Sequence, residues 1–380
     1  MNRMAICLSA AVLALVPACE SMAQSRAQSR TVETQSGPVR IDIVADGLEH
    51  PWAVALLPDG RKLVTERPGR LRLIDGEGGV SAPLSGVPKV YAQGQGGLLD
   101  VVLSPDFADD RMVYLTYAEP GGGGASTAVA RGRLNEAATA LEDVLTIFRQ
   151  QPKVETGRHF GARLVFARDG TLFVTLGDRG LGDPAQDLSN HIGTIVRLER
   201  DGTVPPDNPF VGKSGVRPEI WSYGHRNAQG AALHPETGKL WENEHGPRGG
   251  DEINIPEAGR NYGWPLVSWG TQYSGAPIPD PPSRPQLSPA IHQWTPVIAA
   301  SGMAFYTGDL FPAWKGNALV GGLVAKAVVR LTLDGEKVTG EERIPIGARV
   351  RDVRQGPDGA VWVLTDESNG KLLRLSPGRS

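Results

Sequence analysis

The sequence predicts an all-β fold, a six-bladed β-propeller of four-stranded antiparallel blades. Three observations lead there. One strand-turn-strand unit recurs along the chain, Gly and Pro are scattered throughout, and the first and last copies of the unit are the most alike. The clearest copies are residues 52–66 and 353–366, built around Pro58-Asp59-Gly60 and Pro357-Asp358-Gly359. Weaker copies turn at Asp169-Gly170 and at Pro235-Glu236-Thr237-Gly238. Asp-Gly is a strong hairpin signal because both residues tolerate the positive φ of a tight turn. The 48 Gly and 30 Pro follow the same pattern of many short strands.

Such units bury their faces only against neighbouring copies, and closing them into a ring protects the sheet edges. About 340 residues suit six blades of ~40–45 residues with added loops, and seven blades also fit the arithmetic. A β-sandwich with a second domain is the alternative. The likeness of the terminal copies is what closure by strands from both ends requires. Of the 380 residues, 40% are hydrophobic and 21% charged, enough for a sizeable core. The net charge of -3 gives no basic field for nucleic acid or anionic lipid, so small neutral substrates fit better.

Residues 1–23 read as an export signal, with Arg3 ahead of an apolar run at 4–17 that is too short for a permanent membrane anchor. Cleavage after Ser21-Met22-Ala23 would release a soluble protein; the stretch ending in Cys19 equally resembles a lipoprotein signal, which would make lipidation the route to a membrane. Either way the protein is expected to be exported and periplasmic. Cys7 and Cys19 both lie in this segment, leaving residues 39–380, the expected propeller, without a disulfide. Residues 24–38 read as a polar linker.

Several loops are richer in His, Arg, Asn and Gly than turn geometry requires. Gln95 sits in a glycine-rich turn and offers an amide to a hydroxylated ligand. His159 precedes one strand of a hairpin and Asp178 follows the other, so both fall on one side of a sheet. A carboxylate that fixes an imidazole tautomer is the usual arrangement of a general base. Arg226, Asn227 and Gln229 place a guanidinium fork and two amides within four residues, which suits a planar, oxygenated ligand. The loop 243–254, with Gly246, Pro247 and Glu252, is acidic and has Gly and Pro where carbonyls point outward, which favours a hard cation; Tyr262 follows closely. Neither an EF-hand nor a zinc spacing is present. Lys326 falls in an apolar run, costly unless an anion waits for it. Arg349 and Arg351, two apart on a strand, share a face.

Taken together, Gly224-His225-Arg226-Asn227-x-Gln229-Gly230, Glu244-His245-Gly246-Pro247-x-Gly249-Gly250-Asp251-Glu252 and Arg349-x-Arg351-Asp352-Val353 resemble the soluble pyrroloquinoline-quinone-dependent glucose and sorbosone dehydrogenases, and especially their bacterial aldose sugar dehydrogenase branch, over roughly residues 47–376. The resemblance implies a six-bladed propeller with pyrroloquinoline quinone and calcium as cofactors. It implies that Lys326, Arg349 and Arg351 pair with the cofactor's carboxylates and that Arg226 and Asn227 lie near its quinone oxygens. Gly246 and Pro247 would offer backbone carbonyls to its calcium, and Glu252 and Tyr262 would mark a second calcium position. His159 would be the base that takes the anomeric proton while hydride passes from C1 to the quinone, Asp178 would orient it, and Gln95 and Tyr273 would line the sugar pocket. Ala162 stands where relatives commonly carry a second glycine, and the proline-rich segment 268–294 is short, so a broad aldose specificity is expected. A metal-dependent lactonase propeller is the rival enzyme, for which the three cations have no task; a non-catalytic binding propeller would leave His159 and Asp178 without one. The electron acceptor is not legible.

Overall fold

A computed structural model describes residues 29–378; residues 1–23, read above as an export signal, and Cys19 lie outside the described residues. Six antiparallel sheets form the blades of a propeller. The first has three strands, Pro51–Leu56, Lys62–Glu66 and Arg70–Ile74, with an isolated bridge from Ile74 to Val80 at its outer edge. Four blades of four strands follow. They run Leu98–Leu103 to Leu141–Arg149, Gly161–Phe166 to Ile220–Tyr223, Ala228–Leu233 to His292–Trp294, and Ala300–Phe305 to Lys337–Pro345.

The closing blade is mixed, as the terminal repeats predict. Val350–Gln355, Val361–Thr365 and Gly370–Pro377 come from the end of the chain, and Val39–Leu48 from its beginning pairs with Gly370–Pro377. The fold starts before the expected linker boundary. Ser29–Val32 adds a fifth, outermost strand on Val39–Leu48, held by backbone pairing that its polar side chains do not reveal. The Asp-Gly turns behave as read, with Gly60, Gly170 and Gly359 all at positive φ between the first and second strands of their blades.

Neighbouring innermost strands pack around the axis in chain order, and the last packs on the first. Aromatic and aliphatic cores fill the spaces between blades, as where Trp241 meets Phe305 edge-on, ring centroids 5.3 Å apart. Nearer the axis the blades are tied by polar side chains. Thr65 Oγ1 donates to the Leu99 carbonyl, Thr116 to Ala162 at 2.7 Å, Thr175 to Ala228 at 2.9 Å and Asn243 Nδ2 to Ser301 at 2.9 Å, each bond reaching the innermost strand of the next blade. Ser301 Oγ continues the belt to Val350 at 2.7 Å.

Every innermost strand also carries a register shift near its start: Pro51/Ala53, Leu98/Val101, Gly161/Leu164, Ala228/Gly230, Ala300/Met303 and Val350/Asp352. A bulge re-aims the residues it contains. Here these include Trp52, Asp100, Arg163, Gln229 and Arg351, all buried. Arg163 becomes the centre of an axial charge cluster. Its Nη1 lies 3.0 Å from Asp100 and 3.1 Å from Asp352, while Arg354 reaches the same two carboxylates at 3.1 and 3.0 Å. Its guanidinium lies 4.3 Å from the centroid of the Trp52 ring. Removing one partner of a buried ion pair leaves an uncompensated charge. Asp100→Ala is therefore expected to lower unfolding free energy by about 3–5 kcal/mol, read as a shifted midpoint in urea denaturation.

Candidate active site and cation centre

Two kinds of loop reach the same rim of the ring: those leading into an innermost strand and those leaving the second strand. The first kind carries His50, Gln95, His159, Arg226, Asn227 and Arg349; the second carries Arg67, Asp178, the 245–250 loop, Lys326 and Asp366. This is why residues spread over three hundred positions converge.

His159 and Asp178 meet as expected, with Nδ1 to Oδ1 at 2.6 Å. The carboxylate is held in turn by Gly180 N at 2.7 Å and by Trp264 Nε1 at 2.7 Å. Burial works against its charge, but the hydrogen bond and positive charge of His159, the Gly180 amide and Arg226 together keep Asp178 below the usual carboxylate range. Burial is also the largest influence on His159; with help from Arg226 it outweighs Asp178 and lowers the imidazole below its ordinary value. The backbone here is strained: His159 has φ 53° and Ala162 φ 89°, so the missing second glycine falls at a position that favours one. A Cβ on Gly177 would collide with the His159 carbonyl, which fixes how closely the hairpin ends approach.

A cavity of about 220 Å³ is lined by His159, Asp178, Arg226, Pro247, Trp264 and Tyr273. Beside it lies one of about 450 Å³, lined by Trp52, Arg67, Gln95, Asn227, Gln229, His245, Arg349, Arg351 and Asp366 among others. Gln95 lines the larger one and is tied to His159, which lines the smaller, its Oε1 accepting from His159 N at 2.7 Å. Asn227 Oδ1 accepts from Gly161 N at 3.1 Å, and Gln229 Oε1 from Arg351 at 2.7 Å. Arg351 Nη2 also reaches Asp366 at 2.6 Å, with Arg349 3.7 Å away on the same oxygen; the two converge on one carboxylate although Arg349 precedes the strand and Arg351 sits in its bulge, so strand alternation is not what aligns them. Arg351 and Arg67 help to hold the Asp366 carboxyl well below the usual range against its burial. Tyr273 is 68% exposed at the mouth, and its hydroxyl lies 3.2 Å from Arg226 Nη2.

Lys326 differs from expectation. The apolar run containing it is two strands, Ala318–Gly322 and Ala327–Asp334, joined by a turn, and Lys326 is exposed on that turn at φ 52°. Leu323 and Val324 of the turn line the larger cavity; Lys326 is not among its lining residues.

Arg226 Nη1 donates to the Gly246 carbonyl at 2.8 Å and the His245 carbonyl at 3.0 Å, so two carbonyls of this loop face the Arg226 guanidinium. Gly246 is required there, because a Cβ would collide with the Gly249 and Gly250 carbonyls. His245 donates from its ring to the Ala300 carbonyl at 2.6 Å, and burial pushes it down to about 3, so it stays neutral.

Behind this loop, strand register sets Glu244 opposite Glu252 and Glu242 opposite Asn254. The carboxylates of Glu242 and Glu244 and the His225 ring lie within 4.8 Å of one another, all buried. Burial and the neighbouring carboxylates raise Glu252 well above its usual value and Glu242 to about 7; for His225, the two carboxylates overcome burial and raise it to about 9. Glu242 Oε2 has no hydrogen-bond partner among the described residues. Three acids against one histidine is a donor set for a hard divalent cation. The Tyr262 phenol does not belong to it. Its hydroxyl donates to Ile255 O and accepts from Glu257 N, and its ring stacks on His225 at 4.8 Å, leaving only its backbone for ligation.

A profile of the glucose/sorbosone dehydrogenase family matches residues 48–374. The aldose sugar dehydrogenase YliI of Escherichia coli is 52% identical over 89% of this chain and 93% of its own, and the quinoprotein glucose dehydrogenase B of Acinetobacter calcoaceticus is 28% identical over 85% and 84%. The solved structure of the aldose sugar dehydrogenase of Streptomyces coelicolor in its PQQ-bound form superposes with a TM-score of 0.73 at 28% identity, covering 92% of this chain and 99% of that one. Fold and site thus define a six-bladed propeller of the sugar dehydrogenase class. The chain belongs to the glucose/sorbosone dehydrogenase family.

The acid cluster makes one expectation directly measurable. Calcium at about a hundred times its dissociation constant should stabilise chelator-treated protein by about 2.7 kcal/mol, seen as a higher melting temperature. Glu242→Gln should shrink that response.

Proposed function

We propose that the protein oxidises aldose sugars at C1 to the lactone, with pyrroloquinoline quinone and calcium. The observation that carries this reading is the placement of the His159–Asp178 pair beside a cavity of about 450 Å³ whose rim bears Arg67, Arg349 and Arg351. That volume lies within the range of roughly 300–1,000 Å³ usual for cofactor pockets. The groups inside fit a flat tricarboxylate. Arg67 Nε and Arg351 Nε are buried without partners among the described residues, and Asn227 and Gln229 line the same cavity. A lactonase would have no use for this cationic rim.

Bound there, the quinone would supply the acceptor for the C1 hydride and calcium the Lewis acid beside it. Gly246 and Pro247 would hold the calcium through their carbonyls, and Glu252, with the Tyr262 backbone, a second ion. Arg349 and Arg351 would bind the carboxylates, with Lys326 on the adjoining turn.

The sugar would enter the smaller cavity between Tyr273, Gln95 and His159. Because Asp178 accepts at Nδ1, that nitrogen carries the ring proton and Nε2 is left as the base. It takes the anomeric hydroxyl proton as C1 loses its hydride, which balances the two-electron oxidation to a lactone. Arg226, near both the calcium loop and the sugar cavity, would stabilise developing negative charge, a contribution of about 3–4 kcal/mol per donor at such sites. The 1–23 segment would direct export, and processing at Cys19 would add a lipid tether.

Reconstituting purified protein with quinone and calcium, then assaying aldoses with an artificial electron acceptor, tests the reading. No sugar oxidation would refute it. His159→Ala should retain cofactor binding and lose about 10²–10⁴-fold in turnover. Because burial lowers His159, the acid limb of kcat/KM should fall below pH 6.5. Asp178→Asn removes the interaction that raises His159, so the limb should move lower still while turnover drops.

A further inference from the structure

The larger cavity contains a cation that the sequence motifs do not mark. Arg67 directly follows Lys62–Glu66, the second strand of the first blade, and lines the cavity with Arg349, Arg351 and Asp366. Its backbone is pinned on both sides, N to the His50 carbonyl at 3.1 Å and O from Leu98 N at 3.1 Å. Its side chain makes one hydrogen bond, Nη1 to the Gly94 carbonyl at 2.8 Å. Nε is buried and unpartnered among the described residues. A buried donor left unpaired is costly, so such a donor facing a cavity points to an acceptor brought by a ligand.

Charge leads the same way. The groups facing this corner are Arg67, Arg349, Arg351, His50 and Asp366, and Asp366 already accepts from Arg351 and lies 3.2 Å from His50 Nδ1. Three guanidiniums against one carboxylate leave unmatched positive charge inside a concave wall, which a polycarboxylate neutralises. Resting on the function proposed above, we propose that Arg67 is a further cofactor-anchoring residue, its guanidinium fork binding a carboxylate of the quinone. A planar fork held in place by a backbone carbonyl suits a carboxylate better than a point charge would.

The test is a titration of cofactor-free protein with pyrroloquinoline quinone in the presence of calcium, following quenching of tryptophan fluorescence. Arg67→Gln should weaken binding about 10–100-fold, the range for a charge-assisted hydrogen bond, with an unchanged melting temperature. Arg67→Lys should recover part of the loss, and Arg133→Gln, on an outer strand, should match wild type. Turnover at saturating cofactor should change only a few-fold, separating anchoring from chemistry. Wild-type affinity in Arg67→Gln overturns the assignment while leaving the function intact; should that variant not fold, wild-type affinity in Arg67→Lys does the same. A wild-type protein that takes up no quinone overturns both.

Discussion

The ion cluster of Asp100, Arg163, Asp352 and Arg354 is the constraint around which the rest of this molecule is arranged. It draws members from three blades and lies where all the innermost strands converge. Desolvating four charges is expensive, so the cluster persists because each acid meets both arginines and further backbone donors, Leu164 N for Asp100 and Val54 N for Asp352. Non-directional apolar packing between blades would tolerate small rotations of one blade against the next. Directional bonds at the axis do not.

That rigidity is passed upward. Arg163 Nε donates to the Gln229 carbonyl at 3.1 Å, Gln229 accepts from Arg351, and Arg351 pairs with Asp366. The cavity floor is thus the upper layer of the network that closes the centre of the ring. Trp52 joins the two layers, its ring centroid 4.3 Å from the Arg163 guanidinium and 6.0 Å from that of Arg351. Pre-organisation of this kind holds polar groups in place before a ligand arrives, so binding need not supply the ordering energy.

The ring and its closure were legible because turns and strand alternation are local properties. His159 with Asp178 was legible too, since hairpin geometry alone brings the ends of two adjacent strands together. The axial cluster was not, because the bulges that aim Asp100 and Arg163 inward, and the one that precedes Asp352, break the alternation from which facing is inferred. Arg67 was hidden by its place after an ordinary strand, and Lys326 misplaced because a turn built of Leu323, Val324 and Ala325 reads as strand. The acid centre behind the 245–250 loop depended on register: Glu242 and Glu244 share a face by spacing, but Glu252 joins them only because Asp251–Asn254 pairs back on that strand.

The closing blade sets a condition on when this protein becomes itself. Gly370–Pro377 is sandwiched between Val361–Thr365 and Val39–Leu48, a strand made more than three hundred residues earlier. Until translation reaches that segment, Val39–Leu48 lacks its inner neighbour and the closing blade lacks its link to the start of the chain. The nascent chain is an open arc with two unsatisfied edges, and long-range pairing of this sort is slow. The axial charges complete their set only once the innermost strand of the closing blade is made, because that strand carries Asp352 and Arg354. Closure of the ring therefore follows synthesis of the intervening blades, each of which is built from one contiguous stretch of chain.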